Sequence, residues 1–275
     1  MHNLNKFLNF LYFLIQIIKF KFTNIKKIYP NHKLNKDLVV SFTAKKSRFK
    51  FLHLMINSIF NQTVLPNEII LWIEKKDKKF LNKKILSYKK KGLKIFYCEN
   101  LKSYNKIIHT LKIRKKSYII SFDDDIIYDE KSIEFLVNKL KKNTKNIIAN
   151  RVHKIVLNKD EIPLPYIKWI WNNTSNNIHR LNFQTGVFGV LYPPNCFHRD
   201  ITKKKIFKKL SPYADDIWLY WMIRLNKKFI VWSGFNHKNY PIFNFDKETL
   251  IDLNISKSKN DEQIKKLIDH YGFPK

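Results

Sequence analysis

Asp123, Asp124 and Asp125 close an apolar run that begins at Tyr118 and resumes at Ile126. Adjacent carboxylates repel one another, and taking any of them out of water without a partner is costly. A divalent cation relieves both problems. Alternate carboxylates at a strand end, Asp123 and Asp125, can share one Mg²⁺ or Mn²⁺ with a phosphate-bearing substrate. The plainer reading is an acidic turn that opens a helix, where Asp is favoured. A second acid pair, Asp215 and Asp216, precedes the aromatic segment Ile217 to Met222. One of this pair can serve as general base toward a hydroxyl, or both can simply cap a helix and complement its dipole.

The elements that must position these acids alternate in type. Asp37 to Phe42 predicts a first strand with Leu38, Val39 and Val40 buried. From Ser47, read as an N-cap, the residues Phe49, Leu52, Ile56, Ile59 and Phe60 recur at helical spacing, and Gln62, Thr63 and Pro66 end that helix. Glu68 to Ile73 predicts a second strand, Phe80 to Lys91 a helix closed by Gly92, and Leu93 to Tyr97 a third strand. Ser103 to Lys112 predicts a short helix and Tyr118 to Phe122 a fourth strand that delivers the acid triplet. Regular alternation of this kind implies an α/β fold, a mostly parallel sheet covered by helices on both faces. Ligands of such sheets bind at the carboxyl ends of the strands, where Thr43 to Arg48, Tyr104 to Lys106 and Asp123 to Asp125 would gather. No G-x-G-x-x-G and no P-loop lysine motif is present, which argues against a dinucleotide or P-loop site.

Beyond residue 150 the alternation stops. Asn158 to Asn182 reads as a loop containing Trp169 and Trp171. Gly186 and Gly189 follow, three apart in a chain with only 5 glycines, so the backbone there must approach something closely or adopt positive φ. Phe229 to Trp232 predicts another strand and Asp261 to Tyr271 a terminal helix. The expected organisation is an apolar and basic extension over 1–36, a catalytic domain over 37–245 and a helical tail over 246–275. The domain divides into a nucleotide-binding half, 37–150, and an acceptor half, 151–245.

Composition sets the outer bounds. With 275 residues, 44% of them hydrophobic, the chain can bury a substantial core and is not of the disordered class. The formal net charge of +31 favours anionic partners, but the lysines are dispersed and not gathered on an arm or stripe. That dispersal looks partly like bias of composition, and no nucleic acid partner is expected. Two distant cysteines, Cys98 and Cys196, form no metal motif or disulfide framework and suit a reducing compartment. The stretch Phe7 to Phe20 is apolar but short for a membrane span, and no small-residue cleavage site follows it. Flanked by Lys6, Lys19, Lys21, Lys26 and Lys27, it reads as an interfacial anchor or as an ordinary packed element.

One set of motifs goes further. A first strand ending in Ser41-Phe42-Thr43, then Arg48, then Ser58-Ile59-Phe60-Asn61-Gln62-Thr63 and Ser121-Phe122-Asp123-Asp124-Asp125 resembles a nucleotide-sugar glycosyltransferase of the GT-A fold. Thr185-Gly186, Gly189 to Pro194 and Ala214-Asp215-Asp216-Ile217-Trp218-Leu219 resemble a bacterial group of such enzymes, family-two-like and inverting, that build surface polysaccharides. The resemblance spans residues 37 to 245. It implies that Thr43, Arg48, Lys106, Asp123 and Asp124 contact the donor, with Asp123 toward the ribose. Asp125, with Asp123 and His237, would hold Mn²⁺ or Mg²⁺. Asp216, with Asp215 beside it, would be the base. Trp169, Trp171, Gly186 and Tyr192 would line the acceptor side, although Trp169, Trp171 and Tyr192 read equally as core aromatics. The implied partners are a nucleotide sugar, UDP-linked in the first instance, and a glycan or lipid-linked acceptor. The implied location is the cytoplasm, with peripheral contact at the inner membrane face. The pattern departs from the family in having Asp-Asp where many relatives have Glu-Asp, and in its Gly-containing acceptor loop. Three rival readings use the same features: a metal-dependent nucleotidyl- or phosphotransferase built on the acid triplet, a basic nucleic-acid-binding protein, and a catalytically dead sugar-binding domain that binds donor without transferring it.

Overall fold

The computed structural model describes residues 11, 13–18, 27–143, 145–236, 242 and 258–274. The strands are β1 (Leu38–Thr43), β2 (Glu68–Glu74), β3 (Leu93–Cys98), β4 (Tyr118–Ser121), β5 (Ile147–Ala149), β6 (Val152–Lys154), β7 (Asn182–Gln184), β8 (Val190–Tyr192) and β9 (Ile230–Trp232). The helices are α1 (Leu52–Phe60), α2 (Lys83–Ser87), α3 (Asn105–Ile113), α4 (Ser132–Lys142), α5 (Lys204–Leu210), α6 (Asp215–Leu225) and α7 (Lys259–Tyr271). β6 and β7 form a small antiparallel pair, while the other strands make one sheet in the order β3-β2-β1-β4-β8-β5-β9. β1 pairs in parallel with both β2 and β4, and β2 with β3. β8 runs against β4 and β5, and β5 runs with β9. β8 is therefore the one reversed strand among the described strands of this sheet.

This is the covered parallel sheet that the alternation of elements implies. The inner strands are apolar on both faces because both faces are covered. Leu38, Val40 and Phe42 of β1, with Tyr118, Ile120 and Phe122 at β4, pack into one core with α1 and α4. On the opposite face Ile119 joins a second core built around α6, whose residues Ile217 to Ile223 are all buried. A helix apolar on every side belongs inside a protein. α7 supplies Ile264 and Leu267 to this second core, and Phe13 near the N-terminus packs into the first, its ring 5.4 Å from that of Phe51.

The topology creates one special place. The chain passes outward from β1 through β2 to β3, then returns to lay β4 on the other side of β1. The carboxyl ends of β1 and β4 therefore flank a switch point, where α/β sheets open a crevice. β4 presents its acid triplet there.

Two helix boundaries differ from expectation. The helix expected from a Ser47 cap starts at Leu52, after a 3₁₀ turn at Lys46–Arg48, and no side chain caps it. The helix expected over Phe80 to Lys91 is broken. Lys75–Phe80 forms a 3₁₀ turn, and Asn82 then caps a fresh helix by accepting from Ile85 N at 2.9 Å. Gly92 closes the segment at φ 111°, as expected. Gln62, read as part of a helix end, and Ser58 within that helix also clamp the chain beyond the triplet. Gln62 donates to Asp129 O at 2.7 Å and accepts from Ile133 N at 2.9 Å, and Ser58 Oγ accepts from Tyr128 N at 3.1 Å.

Gly189 sits at φ 100°, and a Cβ there would stand 2.4 Å from Cε1 of Phe122, the residue before Asp123. Both the positive φ and the ring demand glycine. Gly189→Ala is expected to cost about 1–3 kcal/mol from backbone strain and overpacking. Urea unfolding should show the loss as a lower midpoint at unchanged slope.

Candidate active site

The site is assembled from buried polar groups on the second face of the sheet. Ser41 of β1 is fully buried, and its hydroxyl bonds Lys106 O at 2.5 Å and Thr110 Oγ1 at 2.7 Å. Trp72 of β2 donates its indole N–H to the same Thr110 oxygen at 2.8 Å. α3 is thus fixed against β1 and β2, and its Lys106 is aimed at the switch point. The Lys106 ammonium is buried, 2.6 Å from Asp123 Oδ1 and 3.3 Å from Asp215 Oδ2. Burial works against its charge, yet Asp123, Asp215 and Asp216 more than offset that and hold it protonated well above the ordinary lysine range. The backbone of Asp123 is pinned by Tyr128, whose hydroxyl accepts from Asp123 N at 2.7 Å and donates to Asp123 O at 3.0 Å.

Asp215 and Asp216 form the first turn of α6, but the capping position is Ala214, which contributes no side-chain bond. The turn that leads into the helix is held from outside it. Gln263 of α7 accepts from Tyr213 N at 2.9 Å and Ala214 N at 3.1 Å, while its amide is held by Lys259 O at 2.7 Å. Tyr104 donates to Ser211 O at 2.5 Å, tying the same turn to the start of α3. Asp216 Oδ2 accepts from Gly186 N at 2.9 Å, and Asp216 Oδ1 is buried without a partner. A Cβ on Gly186 would lie 3.2 Å from both Asp216 Oδ1 and Lys106 Nζ, and 3.5 Å from Asp123 Oδ2. The bare backbone at Gly186 therefore lets the two acid clusters face each other across one lysine. Burial, reinforced by the charge of Asp215, raises the Asp216 carboxyl to about 7.

On the other side of the triplet Arg48 pairs with Asp124 and, at 3.0 Å, with Asp125 Oδ2. Burial raises Asp124 to about 7 in spite of Arg48, and raises Asp125 as well. Asp124 and Asp125 thus pair with Arg48, and Asp123 and Asp215 with Lys106. Hard carboxylate oxygens and a surplus of negative charge fit a divalent cation such as Mg²⁺ or Mn²⁺. No cluster of three His, Cys, Asp or Glu side chains among the described residues could enclose one. Asp125 and Asp123 would therefore supply part of the shell, and substrate phosphate and water the remainder.

The structure thus brings Arg48, Lys106, Asp123, Asp124, Asp125, Asp215, Asp216 and Gly186 together. Other candidates fall elsewhere. Thr43 stands at the end of β1, but its hydroxyl donates to Trp72 O at 2.9 Å. Trp169 is buried, with its N–H on Leu164 O at 2.8 Å and its ring against Phe183, so it is a core aromatic without a face for a sugar. Tyr192 is likewise enclosed, packed on Phe197. Trp171 is exposed and stacks on His153. His237 lies outside the described residues. Near it in sequence, Ile242 donates its N–H to Asp125 O at 2.7 Å. Sequence reasoning missed Gln263 and Tyr128. Tyr128 belongs to the stretch around the triplet, but nothing in the sequence ties Gln263 to a turn 49 residues earlier.

A covered, mostly parallel sheet with paired acid clusters at its switch point defines a transferase-like α/β enzyme of the GT-A kind. A profile of glycosyl transferase family 2 matches residues 39–206. The chain belongs to that family and is a glycosyltransferase. The match ends before Asp215 and Asp216. A comparison with curated proteins finds no significant match. Among solved structures, the chain is similar to the mannosyltransferase PcManGT of Pyrobaculum calidifontis, solved with GDP-Man and Mn²⁺. Identity is 10%, the TM-score is 0.54, and the alignment covers 95% of this chain and 72% of that one. It is also similar to the 4-diphosphocytidyl-2C-methyl-D-erythritol synthase of Anaerococcus prevotii DSM 20548, at 16% identity and TM-score 0.49, covering 81% of this chain and 96% of that one.

Gln263→Ala should leave the buried Ala214 N–H and the half-buried Tyr213 N–H without their acceptor and destabilise the protein by about 1–3 kcal/mol. Gln263→Glu keeps the acceptor but buries a charge and turns a carboxylate oxygen on Lys259 O, so it should not recover that loss. Paired denaturant melts of the two variants read the difference.

Proposed function

We propose that this chain transfers a sugar from a nucleoside-diphosphate donor to a hydroxyl of a glycan or lipid-linked acceptor, by direct displacement with inversion. The observation that carries the reading is Asp216. One of its oxygens is held by Gly186 N, and the other is buried and unpartnered. The carboxyl is raised to about 7, near the value a general base needs at neutral pH. Asp216 Oδ1 accepts the proton of the acceptor hydroxyl as that oxygen bonds to the anomeric carbon. The bond from the anomeric carbon to the diphosphate oxygen breaks, and the nucleoside diphosphate leaves with the electron pair.

Lys106 and Arg48 are the cations placed to meet charge growing on that leaving group. Asp125 and Asp123 would hold a divalent cation, which when bound neutralises diphosphate charge. UDP is the first nucleotide to try. The mannosyltransferase bound to GDP-Man and Mn²⁺ supports a nucleotide-sugar donor and a divalent metal. Helical residues at 11 and 13–18 leave Leu11, Leu14, Ile15 and Ile18 exposed, which supports peripheral contact with a membrane that carries the acceptor. No helix among the described residues is long and apolar enough to cross one.

Two measurements test the proposal. The first is the pH dependence of kcat/KM, which reports groups of the free enzyme. Below about 7 the Asp216 carboxyl is protonated and cannot accept a proton. The rate constant should rise about tenfold per pH unit up to that value and level above it. Asp216→Asn should lose about 10²–10⁴-fold and flatten the profile. Full activity in Asp216→Asn would remove the base from this residue. The second is thermal unfolding with UDP, GDP or CDP, with and without Mn²⁺. A ligand at a hundred times its Kd should add about 2.7 kcal/mol. The gain should need the metal and vanish in Asp125→Asn. No gain with any nucleotide would overturn the donor assignment.

A further inference from the structure

β1, β2, β3 and β4 are parallel, and β5 runs the same way because it and β4 both oppose β8. The segments that leave the carboxyl ends of these strands therefore form one rim around the acid clusters. Three places on this rim set a lysine over an exposed aromatic ring. Lys46, in the turn after β1, stands 3.5 Å from the centre of the Phe80 ring. Phe80 closes the turn Lys75–Phe80 after β2, a segment of four lysines and one aspartate. Lys78 of the same turn lies 5.0 Å from the ring of Tyr97, near the end of β3. Lys102, beyond β3, lies 4.2 Å from the ring of Tyr213, just before Asp215. Phe80, Tyr97 and Tyr213 are all exposed.

Aliphatic side chains flank this rim on both faces of the sheet. On the face of the first core, Phe13 packs on Phe51, just after Arg48, and the helical residues around Phe13 expose Leu14, Ile15 and Ile18. On the face of the second core, the loop that leaves β6 exposes Ile167 and Ile170, with exposed Lys168 between them. That loop is tied to the acid pair through α7. Tyr166 N donates to Asp261 Oδ1 at 2.7 Å, and Gln263 of the same helix holds Tyr213 and Ala214. Single exposed aliphatics are ordinary on a protein surface. Here apolar side chains from separate segments share one edge with lysines, and the acid site lies within it. Aromatic rings sit at the headgroup level of a bilayer, and lysines extend from apolar surroundings to meet lipid phosphate.

We infer that the carboxyl edge of the sheet seats on an anionic membrane surface, with the acid site facing the headgroups and the acceptor drawn from that membrane as a lipid-linked molecule. The identity of the acceptor rests on the transferase reading, while the membrane contact stands on the rim itself. Phe80, Tyr97, Tyr213, Ile167 and Ile170 enter the interface, and Lys46, Lys78, Lys102 and Lys168 meet the lipid phosphates. Contacts on both sides of the mouth orient the site toward the surface, which a tether at the N-terminal segment alone would not do.

The test is co-sedimentation of the full chain with vesicles of phosphatidylcholine alone and of phosphatidylcholine with phosphatidylglycerol in equal parts. Binding should be about ten to a hundred times tighter to the anionic vesicles and should weaken with added salt. A net charge of +31 would by itself favour anionic vesicles, so the deciding variants leave charge unchanged. Phe80→Ser with Tyr97→Ser, and separately Ile167→Ser with Ile170→Ser, should each weaken that binding about tenfold. Either pair carries the test if the other does not fold. Tyr29→Ser with Ile113→Ser should leave binding unchanged, because Ile113 ends α3 ahead of β4 and Tyr29 follows Ile28, whose N–H bonds Lys91 O ahead of β3, both at the opposite edge. Equal losses at the two edges, or binding that survives both rim pairs and is lost only with Leu14→Ser and Ile15→Ser, overturns the inference. Dimers in lipid-free sedimentation that the rim substitutions abolish assign the rim to a second copy and overturn it too. Thermal unfolding of the same protein with nucleotide and Mn²⁺ tests the donor site separately. Nucleotide binding without rim-dependent vesicle binding defeats the membrane face alone, and rim-dependent vesicle binding without nucleotide binding defeats the transferase reading instead.

Discussion

One buried ammonium holds the catalytic half of this protein together. Lys106 lies within 3.3 Å of carboxylates from two acid clusters that are more than ninety residues apart in the chain. Without it the clusters would repel across the cavity, and none of the acids nearby could be buried at tolerable cost. With it Asp123 and Asp215 are drawn toward one cation instead of apart. Its position is set from behind by Ser41, Thr110 and Trp72, hydroxyls and an indole that a sheet buried on both faces would otherwise replace with aliphatics. Polar groups so deep are stabilising only when fully satisfied.

The glycine pair explains why the clusters can meet. Gly186 offers backbone where any side chain would contact Lys106 and Asp216, and Gly189 turns the chain beneath the Phe122 ring. The single reversed strand, β8, starts directly after that turn and pairs with β4. Its register places Val190 opposite Ser121, two residues before Asp123, so sheet pairing fixes the distance between the loop that orients Asp216 and the triplet that faces it. A slip of one residue would turn every side chain of so short a strand to the other face.

The parts legible in the sequence are those written in local pattern. Buried runs marked β1, β2 and β4 because parallel strands covered on both faces are apolar throughout, while β3, at the sheet edge, carries exposed Lys94 and Tyr97. The acid clusters and the glycine pair were visible because their residue types are expensive or permissive wherever they fall. What escaped depends on contacts between distant segments. Asn82 breaks a lysine-rich stretch that periodicity alone would keep as one helix. The short strands β5, β6 and β7 have three residues each, too few to establish a period. Trp169 and Trp171 have the same residue type two positions apart, yet one is enclosed and the other exposed, a distinction set by Leu164 and Phe183. Gln263 matters only because α7 folds back onto the turn before α6.

That fold-back bears on how the site is tuned. An aspartate pair at a helix start ordinarily spends its oxygens on the first backbone N–H groups. Here a glutamine from the terminal helix holds the two N–H groups just before the helix, while Asp215 lies against Lys106 and Asp216 accepts from Gly186. The carboxyl of Asp216 then sits in low dielectric with one bond in place of several. Its proton affinity rises toward neutrality for the same reason that its free oxygen is available to react. The terminal helix thus fixes the chain just ahead of the acid pair, at a distance of some fifty residues in sequence.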